Sequence, residues 1–173
     1  VRKGDLVNCV GVSESNGWKK ESWIERADIE EFKVEFEGWD PRLRKLIESI
    51  DKTTVYKWAL YRRPIIKKWH TDRQVLLGDS CHAILPFLAQ GAALAIEDAA
   101  VLANCLSEGQ DNKKAFSSYQ RLREKRVRWV QFMSDANARS FHCGEQLAPL
   151  RNLLLKRFSE RALDRIYSYE AMP

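Results

Sequence analysis

Along this chain the spacing of apolar positions switches between a period near two and a period near 3.6, and each switch marks a change of element. Leu6 to Val12 and Thr53 to Tyr61 are rich in β-branched and aromatic residues and read as strands, the second stopped by Pro64. Ser15-Asn16-Gly17 supplies a turn, with Trp18 to Trp23 as the returning arm of a hairpin. Gln74 to Leu77 is a third, shorter run closed by Gly78. Helical spacing begins at Asp28, a capping residue followed by Ile29, Phe32, Val34 and Phe36, and ends at Gly38. Asp40-Pro41 opens a second helix with Leu43, Leu46, Ile47 and Ile50 on one face and Arg42, Arg44 and Lys45 on the other.

From Gly91 the residues Ala92, Ala95, Ile96, Ala99, Leu102, Ala103 and Leu106 predict a small-residue helix face suited to close packing, with Glu97, Asp98 and Asn104 opposite. After a polar linker over 107–112, a long helix is expected from about Lys113 to His142. Phe116, Tyr119, Leu122, Val130, Met133 and Ala136 mark its apolar side, and Arg121, Glu124, Lys125 and Arg128 its exposed one. Gly144 ends it, and Pro149 starts a last helix through Leu153, Leu154, Phe158, Leu163 and Ile166. Strands, one crossover and terminal helices define an α/β chain, α+β in the arrangement of this segment.

The chemistry concentrates between Gln74 and Leu106. An apolar run closed by a glycine and a carboxylate, then a helix with a glycine in its first turn, is how α/β proteins bring backbone and one acid up to a ligand. Gly78 lets the chain turn sharply, and Asp79 can accept hydrogen bonds from the hydroxyls of a sugar or ribityl chain. The uncommitted amides near Gln90, Gly91, Ala92 and Ala93, with the positive end of the helix dipole, favour an anion or an oxygen gaining charge. A buried strand, a turn glycine and a packed helix would leave the same pattern.

The combined spacing is more specific. Leu77-Gly78-Asp79-Ser80-Cys81-His82, Pro86, Ala89-Gln90-Gly91-Ala92-Ala93 and Ile96-Glu97-Asp98-Ala99 closely resemble the second flavin-binding motif of the class A aromatic-ring flavoprotein monooxygenases, the salicylate hydroxylase-like group in particular. The resemblance implies FAD as cofactor, with NADH or NADPH as reductant and O2 and a small aromatic molecule as substrates. It implies the fold as well: the carboxyl-terminal part of the FAD-dependent aromatic hydroxylase fold. Residues 1–64 would end the substrate-domain sheet, 65–110 would form the flavin strand, loop and helix, and 111–173 the carboxyl-terminal helices. By the same resemblance Asp79 bonds the ribityl chain, Gly91 to Ala93 approach the pyrimidine end of the isoalloxazine, and Pro86 lies at the substrate cavity. Ser80 and Cys81 stand where the family usually has two alanines. His82 there mainly holds the loop, and Tyr119-Gln120-Arg121-Leu122-Arg123 with Arg126 matches a packing pattern; no catalytic residue is assigned. Tyr56 and Trp58 either wall the aromatic pocket or fill core, as does Trp23. His70 reads as an exposed loop histidine in the polar connection Lys67-Lys68-Trp69-His70.

Composition narrows this further. At 173 residues, 45% hydrophobic and 31% charged, the chain has room for an ordinary core, and no apolar run is long enough to span a bilayer. Cys9, Cys81, Cys105 and Cys143 lack paired spacing, so free thiols, no metal site and a cytoplasmic setting are expected. No G-x-G-x-x-G occurs, although the resembled monooxygenases begin with one, so the resemblance implies either the carboxyl-terminal part of a flavoenzyme whose missing N-terminal part supplies the fingerprint or a truncated relative with no redox activity. The net charge of +5 and pI near 9.1 admit a basic helical nucleic-acid-binding module using Arg121 to Arg128, though no nucleic-acid motif accompanies the bases. A non-enzymatic assembly domain built on the last two helices is the third reading.

Overall fold

The computed structural model describes residue 4 and residues 6–14, 22–109 and 111–171. These form two compact units, 1–60 and 61–173.

In the first unit, helices α1 (Ile29–Glu35) and α2 (Pro41–Glu48) start where aspartates end the extended chain. Asp28 accepts from the Glu30 amide at 2.9 Å and Asp40 from the Arg42 amide at 2.8 Å, each satisfying a first-turn donor that the helix itself leaves open. Ile29, Phe36 and Ile47 are buried between the helices, with Phe32, Leu43, Ile50 and Val55 around them. The expected strands do not form among the described residues. Leu6 to Val12 is not assigned as a strand, and Thr53 to Tyr61 begins as a single 3₁₀ turn, Lys52–Thr54. Its pairing is limited to one antiparallel bridge, Arg26 with Tyr56, flanked by amide bonds from Ala27 to Val55 and from Lys57 to Glu25. A β-rich run becomes a strand only where a neighbour takes its amides and carbonyls. The turn at 15–17 and most of the returning arm lie outside the described residues; Trp23 is 78% exposed, so it is not core.

The second unit is built on a helical hairpin. Helix α4 (Gly91–Ser107) doubles back through a short connection into α5 (Asn112–Phe141), which Asp111 caps by accepting from the Lys113 amide. Trp69, Cys81, Leu94, Val101, Cys105, Ala115, Tyr119, Val127 and Val130 make the core. Trp69, expected in a polar connection, is fully buried at its centre: its indole N–H donates to the Ile66 carbonyl, and its amide to the Gln120 side chain. Gln74 to Leu77 is not a strand but one arm of a tight turn, bridging back at His70–Val75 with Leu76 N–H on the Trp69 carbonyl. His70 is half-buried, its ring 6.2 Å from Phe116.

Two helix faces differ from expectation. On α4 the buried stripe is Leu94, Asp98, Val101 and Cys105, while Ile96 is 71% exposed and Ala92, Ala99, Ala103 and Leu106 also face out. An alanine-rich helix is apolar all round, so its periodicity does not say which side is covered. On α5 Leu122 is exposed, whereas Arg123 and Arg126 are buried with Val127. Helix α6 (Ala148–Tyr167) buries only Ile166; Leu150, Leu153, Leu154, Phe158, Leu163 and Tyr167 remain exposed.

Candidate functional site

The loop between Gln74 and α4 is held from beneath. Gly78 has φ +58° and ψ −143°, a left-handed conformation that suits glycine, and an added Cβ would lie 3.1 Å from the Ala95 methyl on α4. Its amide donates to Asp98 at 2.9 Å, and its carbonyl accepts from the amides of Cys81 and His82 at 3.0 and 3.1 Å, opening the single-turn helix α3 (Asp79–His82). Ser80 and Cys81 add to this brace: the Ser80 hydroxyl donates to the Leu77 carbonyl at 2.6 Å, and the Cys81 thiol points at the Gly78 carbonyl at 3.4 Å. Arg63 donates to the main-chain carbonyls of Asp79 and Ser80.

Asp98 is the hub. Its carboxylate, fully buried on α4, takes the Gly78 amide and His82 Nε2 (2.6 Å) on one oxygen and Arg123 Nε (2.7 Å) on the other. Arg123 continues to Glu97 at 2.6 Å and to the Tyr169 hydroxyl at 2.9 Å. Arg126 binds Glu97 at 3.1 Å and donates to the carbonyls of Arg165 and Ile166, the end of α6. Burial pushes the Asp98 carboxyl up, but the bonds from His82, Arg123 and Gly78 outweigh it and leave it below the ordinary value. Burial, helped by the Asp98 charge, raises the Cys81 thiol to about 12 and moves the Tyr119 phenol upward too. Cys81, His82 and Asp98 offer ligand atoms within 4.8 Å of one another, but Asp98 is already satisfied by His82 and a guanidinium, and that positive charge disfavours a cation. They form a brace.

Above the brace, Asp79 is exposed, and among the described residues no hydrogen bond reaches its carboxylate. Gln90, buried, is the residue before α4, and no side chain caps that helix, which leaves its first-turn amides at Gly91, Ala92 and Ala93 without a side-chain acceptor. Nothing lies within 4 Å of a Cβ built on Gly91. Pro86 is exposed at the start of a 3₁₀ turn, Pro86–Leu88, whose end at Ala89 is left-handed at φ 52°. All these belong to the second unit. Tyr56 and Trp58 belong to the first, partly exposed rather than core, Tyr56 under the Arg26 guanidinium at 4.4 Å and Trp58 with its ring 6.1 Å from Trp23. Sequence reasoning placed Asp98 on a polar outer face and gave Arg123 no partner. The signal lay in register: Asp98 falls on the stripe Leu94, Val101, Cys105, and Arg123 on the stripe Tyr119, Val127, Val130. Opposite charges on two facing apolar stripes predict a buried pair.

The loop joins a glycine turn packed on α4 at Ala95 and Asp98 to an exposed carboxylate that no described residue engages, and comparison with known proteins says which family the chain belongs to. Residues 44–133 match the family model described as FAD binding domain. The chain belongs to that family and, within it, to the class A FAD-dependent aromatic monooxygenases. It is 38% identical over 135 residues to 6-hydroxynicotinate 3-monooxygenase of Pseudomonas fluorescens, covering 77% of this chain and 34% of the relative. It is 34% identical over 178 residues to 3-amino-4-hydroxybenzoate 2-monooxygenase PtnB3 of Streptomyces platensis, covering 100% and 44%. Klebsiella pneumoniae HpxO, solved with FAD and uric acid, matches with a TM-score of 0.69 at 25% identity over 80% of this chain and 37% of that one. A salicylate hydroxylase substrate complex gives 0.69 at 24% identity over 95% and 41%, a likeness of fold. The chain therefore spans between about a third and less than half of the relatives it matches.

Proposed function

We propose that these residues supply the ribityl and isoalloxazine side of the flavin site in a longer FAD-dependent monooxygenase, which hydroxylates a small aromatic, salicylate-like substrate with NADH or NADPH and O2. The observation that carries this is the exposed Asp79 carboxylate, which no described residue engages, next to Gly78, whose backbone packs on α4 at Ala95 and bonds Asp98. The residues present fit the cofactor: Asp79 accepts hydroxyl protons, the open backbone at Gly91 admits a flat ring, and the amides of Gly91, Ala92 and Ala93 with Gln90 meet an oxygen gaining charge. Bound FAD would supply electron transfer and oxygen activation; the chain's own groups bind, orient and shield.

Within the same reading Pro86 is a substrate-cavity residue, and Tyr56 and Trp58 are each candidate pocket residues; the exposure of each supports its assignment. The domain assignments 1–64, 65–110 and 111–173 belong to this proposal, as does an N-terminal part of the same protein carrying the pyrophosphate site. Unpaired cysteines suit the cytoplasm, and among the described residues no helix is long and apolar enough to cross a membrane. Against a nucleic-acid module stands the use of the bases: Arg123 and Arg126 are buried in ion pairs and Arg128 binds Glu124 at 2.6 Å. The test is Asp79→Ala in the full-length protein. It should weaken FAD binding by about 1.5 to 3 kcal/mol, the loss of a charge-assisted hydrogen bond. Flavin fluorescence titration reads it, and unchanged affinity would remove Asp79 from the site.

A further inference from the structure

We propose that Asp98 is a positioning residue for the flavin, acting through the backbone of Gly78 to set where the Asp79 carboxylate stands. The inference rests on the reading of Asp79 as a flavin ligand and extends it to a residue buried one layer behind.

The geometry argues as follows. No described residue bonds the Asp79 carboxylate, so its place follows its backbone, which Gly78 holds on one side and Arg63 holds at the carbonyls of Asp79 and Ser80 on the other. Gly78 is held at both ends of its peptide: the amide by Asp98 and the carbonyl by the first turn of α3. Of these, only the Asp98 bond reaches outside the loop, tying it to α4, whose first turn carries Gly91 to Ala93. This carboxylate thus ties the glycine of one half of the proposed site to the helix that carries the other. The anchor needs a carboxylate. Asp98 receives three donors, from Gly78, His82 and Arg123, on two oxygens. An asparagine of the same shape has one acceptor oxygen and must turn its NH₂ toward either the Gly78 amide or the Arg123 guanidinium. Arg123 fixes the carboxylate in turn, bracing it from α5 while Glu97 and Tyr169 hold the rest of the guanidinium.

The experiment is a double-mutant cycle in the full-length protein, with FAD affinity measured by fluorescence for wild type, Asp79→Ala, Asp98→Asn and the double variant. Asp98→Asn is expected to raise the FAD dissociation constant about tenfold when Asp79 is present and by less than about twofold when it is absent. A core control, Val130→Ala, loses thermal stability with FAD affinity unchanged. Equal effects of Asp98→Asn in both backgrounds, or an affinity loss in Val130→Ala matching that of Asp98→Asn at the same loss of stability, would overturn the positioning role while leaving Asp79 as a ligand. No effect of Asp79→Ala alone would instead overturn the underlying reading. Should Asp98→Asn fail to fold, Arg123→Lys carries the same cycle. It keeps the charge, removes the Nε bond to Asp98 and spares those from Gly78 and His82, so a smaller but still Asp79-dependent loss is expected, and an additive one overturns the proposal.

Discussion

Asp79 and Asp98 lie in one loop-and-helix unit, yet their surroundings give them opposite chemistry. Asp79 faces water with no described residue on its acceptors, and Asp98 has three donors and no solvent. A buried carboxylate so held is a pH-linked element of stability. The groups facing it are His82, Arg123 and Gly78 from the loop and α5, with Cys81, Tyr119 and Glu97 close by. Because its folded value lies below the ordinary 3.8, its contribution is full above that pH and is lost as pH falls through the lower folded value. Urea unfolding of the full-length protein between pH 7 and pH 3 should show an acid limb that Asp98→Asn flattens, and an unchanged limb would mean other carboxylates set it. Asp79 could be singled out as a candidate in the sequence because a glycine-acid pair after an apolar run is a local signal. Asp98 was not, since its role depends on which side of an alanine helix another helix covers.

Helix starts were legible for the same local reason. Asp28, Asp40 and Asp111 each precede a helix and each caps it, a bond spanning two residues. Strands were not, because β-formers alone do not make one: Thr53 to Tyr61 and Gln74 to Leu77 each pair at a single isolated bridge, and no ladder extends from either among the described residues. At this scale α4 offers a clean probe. Gly91 has an ordinary helical conformation and open space where a side chain would go, so Gly91→Val should leave the apoprotein's melting temperature nearly unchanged. If the flavin ring approaches that backbone, the branched side chain pushes the amides away from developing charge. The variant should then be either flavin-free or hold a flavin with a more negative reduction potential. A redox titration with bound flavin counted in both proteins decides; full occupancy at an unchanged potential would make Gly91 a packing glycine.

For the molecule as a whole, the proposal of a flavin site shared with another part of a longer protein predicts that a polypeptide of these 173 residues alone holds FAD weakly, since it carries no dinucleotide fingerprint. Equilibrium dialysis with the isolated polypeptide checks this, and tight one-to-one retention would contradict it. Helix α6 bears on how such a polypeptide would behave in the tube. Six of its large apolar side chains, Leu150, Leu153, Leu154, Phe158, Leu163 and Tyr167, meet water, at about 25 cal/mol for every Å² left uncovered. The solvent penalty is relieved when two such surfaces meet, so the isolated polypeptide should sediment faster as its concentration rises, with a negative second virial coefficient. Serine at Leu154 and Phe158 should restore the behaviour of separate particles.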